Sequence, residues 1–318
     1  MDQFSPEVAQ YLFRQCVDSN VTKTIHRTLY PALSPSRPEN RQDGRVVLVT
    51  GGATNIGFAI SQAFVRAGAS TVILIGRRDD ILNDAKARLE QEAQSMGTNT
   101  EVITSSTDIV DAAQTQKFWK SLSDEGIRVD VFVSNATKFS EPKPMLEEGA
   151  DAVWSHVEVD AKAPIYWLDK FYRQNGDKQK FVVNVSSQGV HMTNHPGMGI
   201  LPAYCMSKMF GTLFLQNTAL GIPADKMQII SFHPGSIWTK EWETINPALK
   251  PEHMDDVQRT GAFAVWLATK QAAFLHGRFV WSSWDVDELS TGAVRKRIDE
   301  DFHFLKCSIV GLDNGMLA

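Results

Sequence analysis

The 318-residue sequence is short of several things, and each shortage narrows what the protein can be. It has three cysteines, Cys16, Cys205 and Cys307, spaced too far apart for a disulfide framework or a cysteine metal site. That usage points to a reducing, cytoplasmic setting. No apolar run is long enough to span a bilayer, and AFAVWLA, Ala262 to Ala268, falls far short. The N-terminal MDQFSPEVAQYLFRQ lacks the uninterrupted apolar segment of a signal peptide. The N-x-S/T matches at Asn20, Asn135 and Asn184 therefore read as chance. There is no long basic run, and 32 basic against 37 acidic residues leave a formal net charge of −5, which argues against nucleic acid as a partner. Internal repeats and low-complexity segments are missing too. With 43% hydrophobic and 22% charged residues, an ordinary globular composition remains.

What is present is an alternation of two patterns. Residues 1–44 read as an extension, with a short helix near Val8 to Arg14 and a proline-punctuated arm, YPALSPSRPEN. Packing across the surface of the main domain is the role expected of this arm. From Arg45 onward, apolar and β-branched runs (RVVLVT, TVILIG, EVITSS, VDVFVSN, FVVNVSS, MQIISFHPG) alternate with helical patterns such as FAISQAFVRAGA and LNDAKARLEQEAQ. Strands that are apolar throughout belong to a parallel sheet covered on both faces. The fold expected is α/β: one domain over 45–318, a doubly wound parallel sheet of Rossmann type with helices on both faces. After Pro234 the pattern loosens, and GRFVW reads as a last strand.

VTGGATNIG, Val49 to Gly57, follows a strand and opens a helix, the setting a dinucleotide loop requires. Glycines let the backbone approach phosphates, and a helix N-terminus offers free N–H groups and a positive dipole end. Gly51 and Gly57 hold the outer places; Asn55 stands where a middle glycine is expected. Asparagine tolerates left-handed backbone angles, and its amide can donate to a phosphate oxygen. Asn55 can equally be read as the N-cap of the helix, with no ligand.

Tyr204 and Lys208, in YCMSK, stand on one face of a predicted helix. A phenol has a reference pKa of about 10, and a nearby ammonium favours its ionised form. The pair suits proton transfer to a carbonyl being reduced; by itself it also suits an exposed surface pair. Ser187 ends the preceding strand, where ligands bind in open parallel sheets. Ser186 is its rival, and side-chain alternation allows only one of the two to face the site.

Together these residues, with TD at Thr107–Asp108, SNAT at Ser134–Thr137 and HPGSIWT, resemble the short-chain dehydrogenase/reductase family. The arm and GRFVWSSWDVDEL resemble a fungal subgroup often found in secondary-metabolite pathways. The resemblance implies definite roles. Tyr204 is the general acid, Lys208 lowers its pKa and holds the nicotinamide ribose, and Ser187 positions the substrate oxygen. Gly51, Thr54, Asn55, Ile56 and Gly57 cradle the dinucleotide. Asp108, beside Ile109, accepts from the adenine amino group, and Asn135 and Ala136 lie near the adenosine ribose. Pro234, Gly235, Ile237 and Thr239 contact the nicotinamide and its phosphate. NAD-users usually close the second strand with an acid. Here Gly76 takes that place and Arg77 and Arg78 follow, which favours NADP(H) over NAD(H) because guanidinium groups match a 2′-phosphate. The alternative is that the arginines are solvated charges at a helix start.

The family pattern is broken at Asn55, Ser134, Thr137 and, above all, at Asp160, where the family usually has an asparagine that steadies a relay water. An aspartate there can accept from the same water or pair with Lys208, which would oppose the lysine's effect on Tyr204. The expectation is an active but altered relay. The loop at about 188–203 borders the substrate, and a lid is expected at about 240–255, with Trp238, Trp242 and Met254, and with Met192 and Met198 of the loop, either covering an apolar substrate or packing on the sheet. His191 and His195 raise a metal question, but no third ligand is evident and no metal is expected. The leading function is NADPH-dependent reduction of a carbonyl, or the reverse oxidation, on a small apolar or polyketide-like metabolite. The alternatives are a cofactor-binding regulatory protein without turnover and a cyclase or lyase using the same pocket. Family analogy implies a homo-oligomer, dimer or tetramer, joined through helices at about Ala150 to Tyr172 and Tyr204 to Ala219.

Overall fold

A computed structural model describes residues 19–140, 143–191, 201–239 and 250–308. The elements that carry the site are β1 Val46–Thr50, α1 Asn55–Arg66, β2 Thr71–Gly76, α2 Asp79–Met96, β3 Glu101–Ser106, α3 Ala112–Asp124 and β4 Val131–Ser134. They continue with α4 Ala150–Val157, α5 Ala163–Tyr172, β5 Lys180–Val185, α6 Pro202–Gly221 and β6 Met227–His233. The last are α7 Val257–Leu267, β7 Phe279–Trp281, α8 Val286–Ser290 and α9 Gly292–Glu300.

The seven strands form one sheet in the order β3-β2-β1-β4-β5-β6-β7, and every neighbouring pair runs parallel. This is the doubly wound Rossmann-type sheet that the apolar runs predict. Strand β1 shows why the runs are continuous. Val47 and Val49 enter one core with Phe64 and Phe263, while Leu48 between them enters the other with Phe132 and Trp167. Side chains alternate along a strand, so a strand covered on both faces must be apolar at every position. Helix α1 lies so close to α7 that a Cβ on Gly261 would stand 2.4 Å from the Ala59 carbonyl oxygen. The chain order reverses between β1 and β4, which opens the crevice beyond their carboxyl ends where ligands bind in such sheets.

The helix between β4 and β5 is not uniform. Between α4 and α5 it passes through a π-turn at Glu158–Lys162. Pro164 supplies the cause. It has no N–H to return to the carbonyl of Asp160, four residues earlier, so the regular ladder fails there. Gly211 of α6 packs into the gap, and a Cβ on it would lie 2.3 Å from the Asp160 carbonyl oxygen. The arm, from residue 19, lies against α7 and the segment after β7. Leu33 joins the core at 0% exposure, and Ile25 bridges Trp284. The helix expected at Val8 to Arg14 lies outside the described residues. Among the described residues no helix is long and apolar enough to cross a membrane.

Candidate active site

The loop after β1 is shaped by contacts that leave no room for side chains. Gly51 has φ +66°, and a Cβ on Gly57 would stand 2.1 Å from the Gly51 carbonyl oxygen and 2.5 Å from Asn135 Nδ2. Asn55 has φ +46°, the left-handed conformation an asparagine can hold in place of glycine. Thr54, extended at φ −138°, is the N-cap of α1 rather than Asn55, which is the first helical residue. Ile56 packs partly into the core beneath. Asn135 Nδ2 donates to the carbonyl of Thr50 at 2.8 Å, and Thr50 Oγ1 accepts from the N–H groups of Asn135 and Ala136 at 3.0 and 3.1 Å. The SNAT segment is thereby stitched to the glycine loop. The first-turn N–H groups of a helix have no intrahelical acceptor, and here they stand behind a turn whose Gly51, Gly52 and Gly57 leave the backbone bare. The donor set and the shape fit a dinucleotide pyrophosphate.

At the end of β2, Arg77 and Arg78 are exposed. Among the described residues neither guanidinium has an ion-pair partner. Arg78 is the N-cap of α2 but makes no side-chain capping bond. A Cβ at Gly76 would meet nothing nearer than Leu82 Cδ2 at 3.4 Å, so an acid would fit there and its absence is a choice of residue, not of space. Asp108 Oδ1 accepts from Val110 N at 3.2 Å, which shapes its own turn. Ile109 gives its carbonyl to Trp167 Nε1 at 3.1 Å.

The ends of β5 and α6 bring four predicted residues together. Ser186 is buried and its hydroxyl lies 2.6 Å from Thr212 Oγ1, inside the fold. Ser187 faces the other way; its Oγ accepts from Gly189 N at 3.2 Å, capping a short 3-10 turn, and its side chain hydrogen-bonds Tyr204. Phe139 flanks the Tyr204 ring, 5.2 Å between centroids. Lys208 Nζ lies 5.9 Å from the centre of that ring. The ammonium donates to the Val185 carbonyl at 3.0 Å and faces Asp160 Oδ1 at 3.1 Å. Asp160 Oδ2 accepts from Ser207 Oγ at 2.9 Å. The side chains of Lys208 and Asp160 are 7% and 1% exposed, so this is a buried ion pair. Oδ1 lies at ion-pair distance from the ammonium without an aligned hydrogen bond.

Burial pushes the Tyr204 phenol well above its ordinary pKa; the Asp160 carboxylate adds to the rise, and the hydrogen bond from Ser187 opposes it. In the chain itself the phenol is thus held protonated.

Beyond β6, Gly235 turns the chain at φ +95° and Ile237 is buried and bridges Asp255. Trp238, Thr239 and Met254 are half-buried. Trp242, Met192, Met198 and His195, with most of the expected lid and loop, lie outside the described residues. His191 stands over Trp281, 5.5 Å between centroids. Among the described residues no group of three or more His, Cys, Asp or Glu side chains is placed to hold a metal.

Two buried groups escaped the sequence reading. His233 closes β6, and its Nδ1 accepts from Gln188 N at 3.2 Å, steadying the turn that Ser187 caps. Burial, reinforced by the Arg259 cation and then His191, pushes its pKa down to about 3, so it is neutral. Arg259, in α7, is 0% exposed and reaches the Pro234 carbonyl. His233 stands inside HPGSIWT, so the motif itself held a signal. Arg259 immediately precedes the apolar helical run TGAFAVWLA, where a charge signals a buried partner.

A model of the short chain dehydrogenase family matches residues 45–250. The chain is 32% identical over 305 residues to the short chain dehydrogenase/reductase nsrO of Aspergillus novofumigatus, covering 91% of this chain and 96% of that protein. It is 28% identical over 291 residues to AacuD of Aspergillus aculeatus, with 91% and 96% covered. Among solved structures, a Shigella flexneri short chain dehydrogenase complexed with NADP superposes with a TM-score of 0.66 at 18% identity, over 77% of this chain and 99% of that one. An Escherichia coli short chain dehydrogenase complexed with NADPH gives 0.66 at 19%, over 77% and 99%. At these identities the solved structures speak to the fold alone.

Proposed function

Because the chain belongs to the short-chain dehydrogenase/reductase family of oxidoreductases, we propose that it is an NADP(H)-dependent reductase of a carbonyl on a small apolar metabolite. The observation that carries this reading is the convergence of Ser187, Tyr204 and Lys208 at the carboxyl end of β5. When bound, the nicotinamide dinucleotide supplies the hydride. Gly51, Asn55 and Gly57 would hold its pyrophosphate, and Arg77 and Arg78 the 2′-phosphate. Ser187 Oγ would hold the substrate oxygen, and Tyr204 would deliver its hydroxyl proton to it. The Tyr204 phenol is protonated in the chain and so carries the proton that carbonyl reduction consumes. Phe139, beside Tyr204, offers the substrate an apolar wall. Lys208 and Asp160 would carry the returning proton as a buried pair, in place of a neutral relay.

One observation favours a second reading, cofactor binding without turnover: Asp160 stands 3.1 Å from the ammonium on which Tyr204 depends. The two readings separate in one experiment. NADPH and NADH are titrated against wild type and Arg77→Ala, followed by nicotinamide fluorescence, and carbonyl reduction is assayed on wild type and Tyr204→Phe. Selective NADPH binding that weakens in Arg77→Ala, with turnover lost in Tyr204→Phe, is expected. Binding without any turnover gives the second reading; binding of neither cofactor defeats both.

A further inference from the structure

We infer that Arg259 is a positioning residue for the turn at Pro234 and Gly235, and that through it the N-terminal arm is built into the cofactor site. The inference rests on the proposed role of that turn as a nicotinamide contact. A guanidinium at 0% exposure is retained only where fixed acceptors surround it. Here they come from four separate segments. Nη2 donates to the Pro234 carbonyl at 3.3 Å and to Ser282 Oγ at 3.1 Å, and lies 3.4 Å from Asp255 Oδ2. Nη1 donates to the carbonyl of His26, in the arm.

The turn is moulded to this group. A Cβ on Gly235 would fall 2.2 Å from Nη2 and 2.6 Å from Asp255 Oδ2, and its φ of +95° is itself one that side chains rarely adopt. Asp255 Oδ2 also accepts from Ser236 N at 2.9 Å, and Thr260 Oγ1 donates to the Pro234 carbonyl at 2.6 Å. Arginine and its ion-pair partner therefore hold Pro234 and Ser236, on either side of Gly235.

The arm is fixed in turn at points away from the turn. Glu288 accepts from the N–H groups of Lys23 and Thr24 at 2.6 and 3.0 Å. His26 N donates to Ser283 O, and Asp256 N to Arg27 O, at 2.8 and 2.9 Å. His26 Nε2 lies 2.7 Å from Asp285, and its ring stacks on Tyr30 at 3.5 Å. A shift of this segment would move the His26 carbonyl, then the guanidinium, then the turn.

Arg259→Lys keeps the charge beside Asp255 but loses the planar fork that reaches Pro234, Ser282 and His26 together. Glu288→Ala loosens the arm without touching the turn. Each variant is titrated by calorimetry with NADPH and with adenosine 2′,5′-bisphosphate, which lacks the nicotinamide half, below its measured melting temperature. The expected result is a loss of NADPH affinity, about tenfold for Arg259→Lys and smaller for Glu288→Ala, with the bisphosphate affinity unchanged. A merely structural role would weaken both ligands equally or neither, and either pattern overturns the inference. Should Arg259→Lys fail to fold, Glu288→Ala decides: unchanged NADPH affinity there is refutation. Wild type binding neither ligand marks instead the failure of the cofactor reading, and this inference goes with it.

Discussion

Replacing Asp160 by asparagine tests the unusual feature of the site directly. The carboxylate and the Lys208 ammonium face each other at 3.1 Å, both nearly removed from water. At an effective dielectric constant of ~20, the gross attraction at that separation is about 5 kcal/mol. Desolvation consumes much of it, yet removing one partner of a buried pair typically costs about 3–5 kcal/mol, because the other charge is stranded. Asp160→Asn keeps the shape and an acceptor for Ser207, and Lys208 keeps the Val185 carbonyl at 3.0 Å. We therefore expect the lower end, a loss of roughly 3 kcal/mol, which lowers Tm by roughly 5–10 °C for a chain of this size. The second effect is chemical. Asp160 raises the Tyr204 pKa, after burial, so its removal lets the phenol ionise at lower pH. In alcohol oxidation, where Tyr204 must accept a proton, the rising alkaline limb should move to lower pH. The assays are thermal unfolding by circular dichroism and the pH dependence of NADP-linked alcohol oxidation from about pH 6 to 10. An unchanged Tm together with superimposable pH profiles would refute the reasoning.

Two further outcomes follow from the geometry. His233 has a folded pKa of about 3 against an ordinary 6.5, a depressed value, so its contribution is present above 6.5 and is lost as pH falls toward 3. The slope is about 1.4 kcal/mol per pH unit, so between pH 6.5 and 5 wild type should lose roughly 2 kcal/mol more than His233→Gln in urea unfolding; equal losses would count against it. The homo-oligomer that family analogy implies should use α4, α5 and α6, where Trp154, Tyr166 and Phe210 are 59%, 51% and 51% exposed. Light scattering should give more than one chain for wild type and one for Trp154→Glu/Phe210→Glu; a monomeric wild type sinks the idea.

The sequence determined the sheet because the signal for a doubly buried strand is local. TVILIG and EVITSS are β2 and β3 to the residue; β2 owes its continuous apolar run to burial on both faces, while β3, at the sheet edge, buries only Val102 and is correspondingly more polar. The glycine turn was equally legible, since a positive φ restricts residue choice at the position itself, and Asn55 carries that signal in place of glycine. Tertiary structure supplied the physical reasons for the rest. The family resemblance chose Ser187 over its identical neighbour, and Thr212, on a distant helix, shows why: it holds Ser186 buried while Ser187 stands beside Tyr204. Asp160 meets Lys208 directly because Pro164 frees a carbonyl, the helix makes a π-turn and Gly211 lets α6 approach. Arg259 joins His26, Pro234, Asp255 and Ser282. Periodicity reports the neighbours a residue has along its own element. The partner of a buried charge is chosen by packing between elements, and no local pattern contains it.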